Sequence, residues 1–221
     1  MDWTVLDNPE EVAQVACQRI LAAAEHAIDK RGCFHIVLAG GTTPGKTYEL
    51  LSLESSDWQC WHIWFGDERC LPSDHRERNS LMIEQTLTSR VPIPSNQIHI
   101  IPAEQGPVAA AEFYAQRLEA VPLFDMVLLG MGEDGHTASL FPGKQYIMGK
   151  TVLPIFDAPK APAERVSLSA EMLSQCAYLM FIITGKTKFD AVSRWRSGEG
   201  LPVSMIHGID KTDVLADRSV F

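Results

Sequence analysis

The sequence contains no Cys-x-x-Cys pair, and its five cysteines, Cys17, Cys33, Cys60, Cys70 and Cys176, are scattered and odd in number. A disulfide framework and a cysteine-based metal centre are both disfavoured, and reduced core thiols are the expectation. No apolar run approaches membrane-spanning length, and the opening Met1-Asp2-Trp3-Thr4 lacks the basic segment and apolar core of an export signal. A cytoplasmic location follows as the default. An excess of positive charge is also missing: 28 acidic against 19 basic residues give a formal net charge of −9. That balance argues against nucleic acid and anionic membranes as partners, so an anionic ligand needs a locally basic pocket. The histidines His26, His35, His62, His75, His99 and His207 form no recognised ligand spacing, so no metal is expected. No Gly-x-Ser-x-Gly nucleophile turn occurs. There is no repeat, low-complexity tract or clear linker, and 221 residues at 46% hydrophobic content suit one domain spanning 1–221.

What is present alternates. Residues Glu10 to Asp29 place Val12, Val15, Ala16, Ile20, Ala23, Ala24 and Ala27 at helical spacing, and Gly32 ends the run. Phe34 to Ala39 and Trp61 to Phe65 read as strands, each followed by glycine, with Thr47 to Leu53 as part of a helix between them. Leu81 to Leu87 reads as helix, Gln97 to Ile101 as a short strand, and Val108 to Ala120 as helix. Then come strands at Met126 to Leu129, Thr151 to Ile155, Arg165 to Ser169 and Tyr178 to Ile183, with helices at Glu171 to Gln175 and Thr187 to Trp195. This alternation predicts an α/β fold of the doubly wound type, a mainly parallel sheet flanked by helices. Pro142 to Pro162, rich in Pro, Gly and Lys, is the candidate for a small irregular subdomain or a surface loop.

The strongest motif follows the buried run Met126 to Leu129. Gly130, Gly132 and Gly135 precede His136, and small and apolar residues able to begin a helix come after it. Glycines there let the backbone take positive φ and approach a ligand closely, with amides that can hold an oxyanion or phosphate. A histidine at the carboxyl end of a buried parallel strand lies beside a ligand crevice. A histidine that only caps a helix or bonds the loop would leave the same trace.

After the first strand, Gly40-Gly41-Thr42-Thr43-Pro44-Gly45-Lys46-Thr47 satisfies the consensus of a nucleotide-binding P-loop. Pro44 argues against that reading, because it has no N–H to offer where the loop must donate one. A better fit has Thr43 as N-cap and Pro44 as the first helical residue, with Gly40, Gly41, Thr42 and Thr43 presented to a single phosphate and Lys46 along the helix. The second strand delivers Asp67-Glu68-Arg69, with Asn79-Ser80 farther on. The two carboxylates could mimic a magnesium-binding strand end, but Arg69 would compete for them, and a solvated turn remains open. Asn79-Ser80 also reads as a helix N-cap. Lys186 and Lys188 at a helix start oppose the dipole and gain sense beside an anion.

Gly40-Gly41-Thr42-Thr43-Pro44, Asp67-Glu68-Arg69 with Pro72 and Asn79-Ser80, Gly130-x-Gly132-x-Asp134-Gly135-His136-Thr137-Ala138-Ser139-Leu140-Phe141-Pro142, Arg165-Val166-Ser167-Leu168, and Gly185 with Lys188 together resemble the 6-phosphogluconolactonase family of the glucosamine/galactosamine-6-phosphate isomerase superfamily. The resemblance spans most of the chain in the family's order. It implies metal-free and cofactor-free hydrolysis of 6-phospho-D-glucono-1,5-lactone to 6-phosphogluconate in the oxidative pentose phosphate pathway. The related glucosamine-6-phosphate deaminases typically carry Asp-Glu-Tyr where Arg69 stands, and Asn-Glu-Pro soon after the histidine, where this chain has Ser139-Leu140-Phe141-Pro142.

On that resemblance the expected catalytic residues are His136, Arg69, Asp67 and Asp134. His136 would be the general base, kept neutral by a nearby helix N-terminus against the pull of Asp134. Arg69 and loop amides would stabilise the oxyanion, and Asp67 would orient either Arg69 or His136. Substrate would be held by Gly40, Gly41, Thr42, Thr43, Gly132, Gly135, Arg165 and Lys188, the phosphate going to the glycine-threonine loop or to Lys188 and Arg165. A monomer or weak homo-oligomer is expected. The rivals are a deaminase-like isomerase, a P-loop NTPase and a non-catalytic sugar-phosphate sensor.

Overall fold

The computed structural model describes residues 1–121 and 123–221. Ten strands and six α-helices alternate along it: β1 (Asp2–Leu6), α1 (Pro9–Arg31), β2 (Phe34–Leu38), α2 (Thr42–Leu51), β3 (Trp61–Phe65), β4 (Asp67–Arg69), α3 (Asn79–Ile83), β5 (Ile98–His99), α4 (Pro107–Leu118), β6 (Phe124–Leu129), β7 (Val152–Ile155), β8 (Arg165–Leu168), α5 (Ala170–Leu173), β9 (Cys176–Ile183), α6 (Phe189–Arg196) and β10 (Lys211–Asp217). Local chemistry sets the long first helix. Asn8 Oδ1 accepts the Glu11 N–H at 2.9 Å, Pro9 occupies the first turn, and Gly32 closes the end in the left-handed region. Its buried stripe, Val12, Ala13, Ala16, Cys17, Ile20, Ala24 and Ala27, is essentially the periodic face expected from the sequence.

Seven strands form one sheet in the order β1-β10-β9-β6-β2-β3-β5, every pair parallel. The chain leaves β2 toward β3 and β5, then returns to the other side of β2 to lay down β6, β9 and β10. The order therefore reverses between β2 and β6. Outside the carboxyl ends of the strands at such a switch point lies the crevice where open α/β sheets bind ligands. All six residues of β6 are buried, as befits a central strand covered on both faces.

A second, antiparallel sheet, β4-β8-β7, supplies the small subdomain. Asp67-Glu68-Arg69 is a strand rather than a turn, paired with β8 so that Asp67 faces Ser167 and Arg69 faces Arg165. Strands β1 and β10, which the sequence reading passes over, pair with each other at one edge of the large sheet.

Candidate active site

The loops after β2 and β6 flank a cleft of about 350 Å³, and the small sheet supplies another wall. It is lined by Gly40, Gly41, Asp67, Arg69, Asn79, Gly132, His136, Lys160, Arg165 and Lys188, among others. Of the residues expected from sequence, the fold brings eight to this wall: Gly40, Gly41, Asp67, Arg69, Gly132, His136, Arg165 and Lys188. Thr42, Thr43, Gly135 and Asp134 do not line it.

His136 is the centre of the loop after β6. Its ring Nδ1 donates to Asp134 Oδ1 at 2.5 Å, and the same carboxylate oxygen accepts the His136 backbone N–H at 3.2 Å. This fixes the tautomer with the proton on Nδ1 and leaves Nε2 as a lone-pair acceptor, without a hydrogen-bond partner among the described residues. Gly132 is required by space: a Cβ there would lie 2.0 Å from His136 Nδ1. Gly135 is required by conformation, with φ of +87°. Gly130 needs neither freedom, since its φ is not positive and a Cβ would meet nothing.

Burial pushes the His136 imidazolium to a pKa below the ordinary value, against the hydrogen bond and charge of Asp134 and the charge of Asp67, which pull it up; Lys160 adds to the depression. Burial would raise the Asp134 carboxyl, but its contact with His136 outweighs this and holds it low. The expected helix after His136 does not form. Residues Thr137 to Leu140 close a tight turn, with Ala138 at φ +48°, so desolvation takes the role assigned to a helix N-terminus. The Phe141 ring packs on the imidazole at 4.7 Å between centroids.

The Gly40 loop also departs from expectation. Helix α2 begins at Thr42 with Gly41 as its N-cap, and Thr43, rather than capping, shares a 2.5 Å hydroxyl contact with Thr184. Lys46 lies along the helix as expected, paired with Glu10 at 2.6 Å.

Among the described residues, Asp67 makes no hydrogen bond or ion pair with Arg69 or His136, though its charge acts on His136. Its Oδ1 accepts from Asn79 Nδ2 at 3.1 Å and its Oδ2 accepts from the Ser139 hydroxyl at 2.6 Å. Glu68, fully buried, accepts the backbone N–H groups of Arg69, Asn79 and Ser80 and pairs with Arg78 at 3.1 Å. It thus caps α3 from outside the helix, in place of both the magnesium role and the Asn79-Ser80 cap. Arg78 itself is the residue that precedes α3, and its side chain makes no cap bond.

Arg69 and Arg165 stand opposite each other on β4 and β8, an arrangement that costs energy unless an anion lies between them. Arg165 donates to the carbonyls of Lys160, Ala161 and Pro162, and Arg69 Nη1 to that of Glu77. Neither guanidinium has a carboxylate partner within salt-bridge distance among the described residues, and the buried Nε of Arg69 has no acceptor. Lys188, whose ammonium burial disfavours, and Lys160, 3.7 Å from Glu133, complete a four-cation wall in a chain of net charge −9. Lys160, in the irregular stretch, carries no sequence signal, whereas Asn79, part of the family motif and also readable as a helix N-cap, lines the cleft and holds Asp67.

A family profile described as "Glucosamine-6-phosphate isomerases/6-phosphogluconolactonase" matches residues 7–215. The chain is 33% identical to a 6-phosphogluconolactonase of Nostoc over 88% of its own length and 85% of that protein, and 32% identical to the rat 6-phosphogluconolactonase over 92% and 85%. Its fold is similar to the crystal structure of 6-phosphogluconolactonase from Thermotoga maritima, with a TM-score of 0.92, 28% identity and coverage of 98% and 99%. The chain belongs to the glucosamine-6-phosphate isomerase/6-phosphogluconolactonase family.

Proposed function

We propose that this protein hydrolyses 6-phospho-D-glucono-1,5-lactone to 6-phosphogluconate in the oxidative pentose phosphate pathway. The observation that carries the reading is His136, held by Asp134 with Nε2 unengaged, in a cleft whose four cations lack carboxylates of matching number. The 6-phosphogluconolactonases of Nostoc and rat support the same activity. Phe141 supports it over a deaminase, since an apolar ring packs against His136 where the deaminase motif would bring a second carboxylate.

In the reaction, His136 Nε2 takes a proton from water as its oxygen attacks the lactone carbonyl carbon. Negative charge then builds on the carbonyl oxygen. Arg69 and the amides of the Gly40–Gly41 loop stabilise it, a well-aimed donor contributing roughly 3–4 kcal/mol. Collapse breaks the bond to the ring oxygen, which recovers the proton from His136, and the new carboxylic acid ionises in water. Asp134 keeps the imidazole in the required tautomer throughout. Lys188 and Arg165, with Lys160, hold the phosphate, while Gly40, Gly41 and Gly132 shape the cleft for the sugar. Thr42, Thr43 and Gly135 act from behind as parts of the supporting loops. No step calls for a metal or cofactor.

We take the whole chain as one catalytic domain acting as a monomer or weak homo-oligomer in the cytoplasm, a location in keeping with five free cysteines. No helix of the described residues is long and apolar enough to cross a membrane. The test is the rate at which purified protein consumes freshly generated 6-phosphogluconolactone, set against its spontaneous hydrolysis. Acceleration with 6-phosphogluconate as product supports the reading, and a rate equal to the spontaneous one rejects it.

A further inference from the structure

The base and the two arginines of this site are carried by different sheets. His136 rides on the loop after β6 of the large sheet, whereas Arg69 and Arg165 belong to β4 and β8 of the small one. Their relative placement therefore depends on what ties the loop to the small sheet. Two hydrogen bonds do so, both from Ser139: its hydroxyl to Asp67 Oδ2 at 2.6 Å, and its backbone N–H to Ser167 Oγ at 3.2 Å.

The turn that carries these bonds is under strain. Ala138 is the single non-glycine residue at positive φ among the described residues, a conformation that persists only where its surroundings hold it. Thr137 Oγ1 holds one side of it, donating to the Gly130 carbonyl at 2.7 Å, and Ser139 holds the other. Ser139 is fully buried, so a serine chosen for packing alone could as well be alanine. Its acceptor is a carboxylate whose other oxygen is taken by Asn79, and the bond is short at 2.6 Å.

We propose that Ser139 is a positioning residue for the lactonase reaction, its hydroxyl fastening the His136 turn to Asp67 and so fixing the base against the arginine pair. The inference rests on the lactonase reading above. Asp67 is accordingly the anchor through which Ser139 acts, and Asn79 holds that anchor still.

The experiment measures kcat, KM and Tm for wild type, Ser139→Ala, Asp67→Ala and the double variant. Ser169→Ala serves as a control that removes another buried hydroxyl, the α5 cap accepting from Met172 at 3.1 Å, outside the cleft. Misplacing a base by about 1 Å costs on the order of 100-fold. Ser139→Ala should therefore lose about 10- to 100-fold in kcat with KM within about threefold, while Ser169→Ala loses a few degrees of Tm and keeps its kcat. The double variant should be no slower than Asp67→Ala alone, because both act on one link. Wild-type kcat in Ser139→Ala, a kcat loss shared by Ser169→Ala, or additive losses in the double variant would each overturn the proposal. A wild-type protein without turnover above the spontaneous rate would instead overturn the lactonase reading itself.

Discussion

The two ends of the large sheet use histidine in opposite ways. At the carboxyl end, His136 is alone, bonded to a carboxylate through Nδ1 and open at Nε2 toward a cationic cleft. At the amino end, His35, His62 and His99 stack across β2, β3 and β5, with centroids 4.3 Å apart for His35 and His62 and 5.7 Å for His62 and His99. There Nδ1 of each ring is engaged. Trp64 Nε1 donates to His35 Nδ1 at 3.2 Å, Arg117 donates to His99 Nδ1 at 2.9 Å, and His62 Nδ1 faces His99 Nε2 at 3.4 Å. Burial pushes His35 and His99 down to about 4, with the neighbouring histidines and with Arg31 and Arg117 respectively adding to the effect, Asp125 opposing it at His35. Both ends keep imidazole neutral. Only one leaves a ring nitrogen unengaged in a cationic cleft, and on the proposed function that is what separates the base from the structural histidines.

The comparison breaks most sharply at His136. Replacing it with Ala should lower kcat by about 10²–10⁴-fold, the usual contribution of a positioned base, while Tm at pH 7 changes little. A variant that kept its turnover would remove the contrast between the two ends. Next in size, Asp134→Asn should cost about 10²-fold in kcat by freeing the tautomer. Because Asp134 raises the His136 pKa, the acid limb of kcat/KM should also move to lower pH in that variant.

A smaller effect is expected at Lys188. Its replacement by Ala should raise KM about tenfold with kcat nearly unchanged, since a charged hydrogen bond to phosphate is worth about 1.5–3 kcal/mol. An unaltered KM would remove Lys188 from the phosphate site.

At the other end, the expected effect is on stability alone. Between pH 6.5 and about 4 the unfolded His35 and His99 bind protons that the folded rings refuse, so stability rises with pH across that window and is lost as pH falls. His99→Gln should flatten this dependence by on the order of 1–2 kcal/mol in denaturant titrations at pH 4.5 and 7, leaving kcat at pH 7.5 unchanged. An equally steep profile in the variant would show that the stack does not govern acid stability.

Much of this contrast was written in local sequence. The buried run before Gly130, the glycines around His136 and the alternation of strand and helix place His136 at the carboxyl end of a parallel strand, where it is found. What local pattern did not carry was pairing. Asp67-Glu68-Arg69 is too short to declare itself a strand, and it is one because β8 lies beside it. The turn after His136 looks able to begin a helix, but Ser139 finds better partners in Asp67 and Ser167 than a helix would offer. Thr43 looks like a cap, but Gly41, with its own positive φ, starts the helix two residues earlier. Lys160 carries no motif at all, and only the folding back of its loop, whose carbonyls Arg165 gathers, brings it to the cleft.

The most direct measurement is the pH dependence of kcat/KM for the wild-type enzyme on freshly generated 6-phosphogluconolactone, corrected for spontaneous hydrolysis at each pH. A neutral His136 acting as base predicts a rise along a single ionisation whose midpoint lies below the ordinary histidine value of 6.5, with a plateau through neutrality. A rate independent of pH across that range, or one that falls as the imidazole loses its proton, would contradict the account.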